Sequence, residues 1–130
     1  MKPYMKHLAL FSFLTAVSLG HAGHAQAAGD AAKGTDRFAE ECADCHSPLE
    51  GKNKKGPSLF NIVGRQAASI TSFAKYSDTM KQSKITWTEE QIDAYITHPR
   101  KVVPAGKMKY DGMDDAQTRA DIIAYLGTLH

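Results

Sequence analysis

The sequence predicts an all-α fold of a few short helices joined by irregular loops. Apolar residues recur at helical spacing over residues 30–46 and again over 111–129. Helix-capping residues stand before further short segments at 77–81 and 88–97. The intervening stretches are rich in Gly, Pro and Lys, and no strand-helix-strand setting surrounds the two cysteines. With 130 residues the chain holds at most one small domain.

The first 27 residues read as a signal peptide. Lys2 and Lys6 give a positive start, Leu8 to Leu19 form an apolar run, and Ala25-Gln26-Ala27 offers an A-x-A cleavage site. The run is too short to span a bilayer comfortably, so cleavage is expected rather than retention as an anchor. Residues 28–130 then form the mature domain, and His21 and His24 fall in the discarded part as incidental residues. Export places the product in an oxidising compartment, most simply the periplasm of a bacterium. Losing Lys2 and Lys6 takes the formal charge from +2 to zero, which gives no indication of nucleic acid.

Asp30 is the expected N-cap of the first helix, on which Gly34, Phe38 and Cys42 share one face. A glycine inside a helix costs about 1 kcal/mol relative to Ala. Either a close crossing by another helix or a frayed first turn would account for Gly34. The helix runs into Cys42-Ala43-Asp44-Cys45-His46, two thiols three positions apart with an imidazole directly after the second. That is the attachment signature of haem c, in which both thiols form thioethers and the histidine takes one face of the iron. A disulfide, a thioredoxin-like pair, a structural zinc and chance are the competing readings. The zinc reading lacks a second ligand pair at finger spacing, and the redox pair lacks its βαβ setting.

Residues 47–58 are loop, with Lys52, Lys54 and Lys55 exposed and Pro57 a candidate carbonyl acceptor for His46 Nδ1. Leu59 to Val63 is expected to make one or two helical turns, closed by Gly64-Arg65, before an irregular stretch over 66–75. Tyr76-Ser77-Asp78 caps a short helix through Lys81, and Thr88 with Gln91 forms a capping box before Ile92, Tyr95 and Ile96. His98-Pro99 ends that helix. Arg100 to Gly112 reads as loop, and the last helix opens at Asp111 to Asp115 and runs to Leu129. So few large apolar residues can bury only a modest core, and a macrocycle would supply the missing apolar mass.

The second face of the iron has five candidates: His98, His130, Met80, Met108 and Met113. His98 reads as a helix-ending residue, His130 as a fraying terminus, and Met80 as surface or cofactor-edge packing. Met108, alone in a polar Gly/Pro-rich loop, and Met113 remain; a thioether from either would favour Fe(II).

Assembled in order, these residues resemble a class I cytochrome c of the mitochondrial or short soluble bacterial type. The matches are Gly29-Asp30, Lys33-Gly34, Phe38, the Cys42 to His46 signature, Gly56-Pro57, Gly64-Arg65, Tyr76-Ser77-Asp78, Ile85-Thr86-Trp87, Tyr95, Pro99, Pro104-x-x-Lys107-Met108 and Asp121 to Leu126. The resemblance implies helices wrapped around one covalent haem c, with Cys42 and Cys45 as thioethers and His46 and Met108 as iron ligands. It also implies that Pro57 accepts from His46, that Tyr95 bonds near the Met108 sulfur, and that Arg65, Tyr76 and Trp87 surround the propionates. Where the family often has Pro-Gly-Thr-Lys-Met, this chain has Pro104-Ala105-Gly106-Lys107-Met108. A sulfur bond that opens more readily, with some peroxidase activity, is the expectation from that departure.

The implied function is a one-electron carrier, not an enzyme. It would shuttle between a quinol:cytochrome c reductase and a terminal oxidase, reaction centre or periplasmic reductase. It would be a monomer that meets membrane complexes only by docking. Lys52, Lys54, Lys55, Lys75, Lys107 and Lys109 could ring the exposed haem edge and orient that docking. The alternatives are a dedicated electron-accepting subunit of one periplasmic dehydrogenase and a peroxidase-like haem protein; the latter lacks a recognisable distal His or Arg.

Overall fold

A computed structural model describes residues 28–130. Five helices follow in order: α1 Ala31–Glu41, α2 Asp78–Gln82, α3 Glu89–Thr97, α4 Pro99–Val102 and α5 Ala116–Leu126. The expected leader and its cleavage site lie outside the described residues. Among those described there is no strand, only an isolated antiparallel bridge between Gln66 and Thr86. Gly64 N–H donates to the Trp87 carbonyl, and Trp87 N–H to that of Arg65, each at 2.8 Å, so the two segments meet beside the core.

Each longer helix begins on a residue that satisfies an otherwise orphaned N–H. The Asp30 carboxylate accepts from Ala32 and Lys33, the Thr88 hydroxyl from Gln91 and the Asp115 carboxylate from Thr118. Ser77 does the same for α2 at Met80. Caps of this kind contribute about 1 kcal/mol each. The capping box at Thr88 is half formed, since the Thr88 N–H goes to the Thr86 carbonyl at 2.8 Å instead of back to Gln91.

α1 and α5 cross at the glycines. A Cβ on Gly34 would collide with the Asp121 carbonyl oxygen and stand 2.7 Å from Tyr125 Cβ. The close crossing, and not a frayed turn, therefore explains Gly34. Phe38 and Tyr125 stack tilted across the same seam at 5.3 Å. The Asp121 side chain, 4% exposed, locks it from the other side by accepting from Asp30 N–H at 2.8 Å and Gln117 Nε2 at 2.9 Å. Those two donors hold its carboxyl below the ordinary range. Gly34→Val should lower the stability of the loaded protein by about 3 kcal/mol, because the backbone oxygen opposite cannot move aside alone. The urea midpoint measures this, and an unchanged midpoint would mean that the helices can slide apart freely.

Four boundaries differ from the expectation, the first being the last helix, which ends at Leu126 with Gly127 as its C-cap and does not run on to Leu129. α1 stops at Glu41 with Cys42 as its C-cap, so the attachment signature lies in tight turns and not in the helix. Leu59 to Val63 forms turns only, because Asn61 adopts φ 51°, outside the helical region. The stretch after His98 is not all loop. Pro99, with its fixed φ and no N–H to satisfy, starts the short helix α4.

Candidate functional site

The site grows from the C-terminal end of α1. Cys42 and Ala43 N–H both reach back to the Phe38 carbonyl, and Cys45 and His46 N–H both reach the Cys42 carbonyl at 3.1 and 2.9 Å. These overlapping turns compress Cys42, Cys45 and His46 into one short corner over buried Phe38. Cys42 and Cys45 are not joined in a disulfide. Burial first, then the charges of Glu41 and Cys45, push the Cys42 thiol up to about 12. A thiol held neutral is the opposite of an activated redox cysteine, which needs a depressed value.

Loop 47–58 folds back onto that corner and is pinned at several points. Gly56 N–H donates to the Cys45 carbonyl at 2.8 Å, Leu59 N–H to that of Ser47 at 2.9 Å, and Lys54 Nζ to that of Ala43 at 2.5 Å. Asn53 holds the loop from within, accepting from Ser58 N–H and donating to Ser72 Oγ. The result places the Pro57 carbonyl 2.7 Å from His46 Nδ1. A carbonyl can only accept, so Nδ1 carries the proton and the Nε2 lone pair is left for a metal. Burial lowers the imidazole's affinity for a second proton, the Pro57 bond opposes that, and the Arg65 charge adds to the lowering. Gly56 lies flat against the ring, where any Cβ would overlap His46 Cε1.

Around this corner the other expected site residues sort into pairs. Trp87 and Tyr95 are buried in tilted ring contact at 4.9 Å, and burial pushes the Tyr95 hydroxyl up to about 12. Arg65 and Tyr76 are close enough for the guanidinium charge to act on the phenol, whose affinity for its proton burial raises. Arg65 donates Nη1 to the Phe60 carbonyl at 2.6 Å and Nη2 to that of Ser58 at 2.9 Å, so part of its donor set is committed to the backbone. Among the described residues no side-chain N or O is both fully buried and without a hydrogen-bond partner. Met108, Met80 and Met113 each pack, partly buried, against the same core cluster as Cys42.

An ion pair between α3 and α5 has no counterpart among the sequence expectations. Arg119, 9% exposed, donates Nε to Asp93 at 2.7 Å and Nη1 to the Met113 and Asp114 carbonyls at 2.8 and 2.9 Å, tying α3, α5 and the end of the methionine loop together. An Asp on one helix and an Arg on another, with no fixed spacing between them, leave no signal in one sequence.

The donor set is coherent for haem c: two thiols for thioethers, a neutral imidazole with Nε2 free, and thioether sulfur within the same core. Among the described residues no group of three or more His, Cys, Asp or Glu is placed to hold a metal ion on its own. No helix among them is long and apolar enough to cross a membrane.

Comparison with known proteins agrees. A family model described as cytochrome c matches residues 31–130. Cytochrome c2 from Rhodopila globiformis is 46% identical over 101 residues, covering 78% of this chain and 94% of its own. Cytochrome c2 from Blastochloris viridis is 43% identical over 123 residues, covering 94% of this chain and 92% of its own. Among solved structures, cytochrome cH from Methylobacterium extorquens superposes with a TM-score of 0.71 at 39% identity, covering 77% of this chain and 99% of its own.

Proposed function

This chain belongs to the cytochrome c family, binds one covalent haem c and carries electrons without being an enzyme, and we propose that its route runs from a quinol:cytochrome c reductase to a terminal oxidase, reaction centre or periplasmic reductase. Its partners are larger redox complexes. The relatives fit a carrier and neither the dedicated dehydrogenase subunit nor the peroxidase-like alternative. The observation that carries the reading is the His46 Nδ1 to Pro57 carbonyl bond at 2.7 Å within a Cys42-x-x-Cys45-His46 turn, which fixes the tautomer an iron ligand needs.

When bound, haem c supplies a one-electron Fe(III)/Fe(II) couple with no substrate bond made or broken. Cys42 and Cys45 would hold it covalently, His46 Nε2 would ligate one face and Met108 sulfur the other. Pro57 fixes the imidazole. Tyr95 would bond near the Met108 sulfur. Arg65, Tyr76 and Trp87 would offer charge, O–H and N–H to the propionates, with Arg65 acting through the donors that Ser58 and Phe60 leave free. An imidazole held by Pro57 would shift little between the two oxidation states, which would keep reorganisation small on that side.

Lys52, Lys54, Lys55, Lys75, Lys107 and Lys109 are exposed and are the proposed steering charges. Reduction by the reductase should slow as salt rises from about 10 mM to 150 mM, as the Debye length shrinks from roughly 30 to 8 Å. A rate indifferent to salt would remove the lysine ring from the account. The protein is proposed to be a periplasmic monomer beginning at Ala28. The alignment with the Blastochloris relative, which covers 94% of the chain, supports similarity reaching into the first residues. Mass spectrometry of the red protein from its native host should give residues 28–130 plus one haem, and a species starting at Met1 would overturn the cleavage.

A further inference from the structure

The loop that carries Met108 is anchored at both ends and nearly free in between. At its start Gly106 N–H reaches the Val103 carbonyl at 3.1 Å, and Ala105 sits at φ 57°, a left-handed conformation that disfavours a side chain. At its far end Met113 N–H donates to the Ile96 carbonyl at 2.9 Å, and Arg119 grips the Met113 and Asp114 carbonyls. Between them, residues 107–112 donate no backbone–backbone hydrogen bond among the described residues. The Arg100–Asp111 pair is 3.9 Å apart with both side chains largely in solvent, so it adds little.

One directed contact holds the middle. The Tyr110 hydroxyl donates to Glu41 Oε2 at 3.2 Å across a sequence separation of 69 residues. Glu41 is the last residue of α1, immediately before Cys42, and forms no ion pair among the described residues. Its carboxylate sits at the negative end of the helix dipole, where a neutral O–H donor meets it without the cost of ordering a long cationic side chain. The bond therefore spans from the attachment corner to the residue two beyond Met108.

We propose that the Tyr110–Glu41 hydrogen bond is a latch that keeps the methionine loop closed, with Tyr110 and Glu41 as positioning residues for the sulfur ligand. This rests on the reading of Met108 as that ligand. The latch opposes the release favoured by strained Ala105. It sets how often the loop opens while leaving the stability of the helical frame nearly untouched.

The test uses the ferric haem-loaded protein and imidazole as an entering ligand, followed by stopped flow, beside urea unfolding. Tyr110→Phe removes the one O–H donor and keeps the ring, and Glu41→Ala removes the acceptor. Each should raise the imidazole association rate about fivefold, the scale of one charged hydrogen bond near the surface, with the urea midpoint nearly unchanged. The double variant should be no faster than the faster single, because both break the same bond. Wild-type rates in Tyr110→Phe, or fully additive effects, would overturn the latch. Failure of the underlying reading looks different: the wild-type ferric spectrum would lack the far-red sulfur-to-iron charge-transfer band, or Met108→Ala would bind imidazole no faster than wild type.

Discussion

Replacing Cys42 and Cys45 together with alanine should leave a chain that retains no haem through acid extraction and loses most of its helical signal. The reason lies in the core. Its fully buried apolar residues number few, and Leu59, Val63, Met80, Ile85, Met108 and Met113 pack against it while remaining partly open. Macrocycle and core therefore complete one another, as a metal completes a small domain that is unfolded without it. Either single alanine variant keeps one thioether and should retain coloured protein at reduced yield. Covalent haem persisting in the double variant would mean that attachment does not run through these sulfurs. A folded, colourless double variant would mean that the side chains suffice on their own.

What one sequence discloses depends on how local the physics is. Asp30, Ser77 and Thr88 are readable as caps because each satisfies an N–H only three residues on. The Cys42 to His46 signature is readable for the same reason, since turns of three and four residues build it. The Pro57 acceptor lies eleven residues from His46 and could be named only as a candidate; it needed a loop pinned by Asn53, Ser58 and Gly56 to become a fact. Gly34 signalled a close approach without naming Asp121 as the backbone opposite. Beyond that range the sequence is silent. The Arg119–Asp93 pair and the Tyr110–Glu41 bond span 26 and 69 residues, and neither leaves a spacing to detect. Boundaries failed where one residue's φ decided them, at Asn61 and at Pro99.

Met108→Ala should abolish the far-red charge-transfer band while leaving covalent haem in place, whereas Met113→Ala should preserve the band. Local chemistry alone left both methionines open, and the structure separates their surroundings. Met113 lies where the chain is fastened on both sides, with its N–H on the Ile96 carbonyl and its own carbonyl on Arg119. Its truncation should cost about 1–2 kcal/mol of packing, less than a fully buried methionine would. Met108 lies between exposed Lys107 and Lys109 in the loosely bonded part of the loop, yet its side chain packs against the core instead of following its neighbours into solvent. A soft thioether stabilises Fe(II), so its removal should lower the reduction potential by on the order of 100 mV, within the roughly 0.8 V that axial ligands command. Equilibrium redox titration reads the shift directly. A potential and band that survive Met108→Ala but vanish in Met113→Ala would transfer the ligand to the fastened end of the loop. The latch at Tyr110 would then have nothing to guard, because the backbone carrying that sulfur would already be held by Arg119.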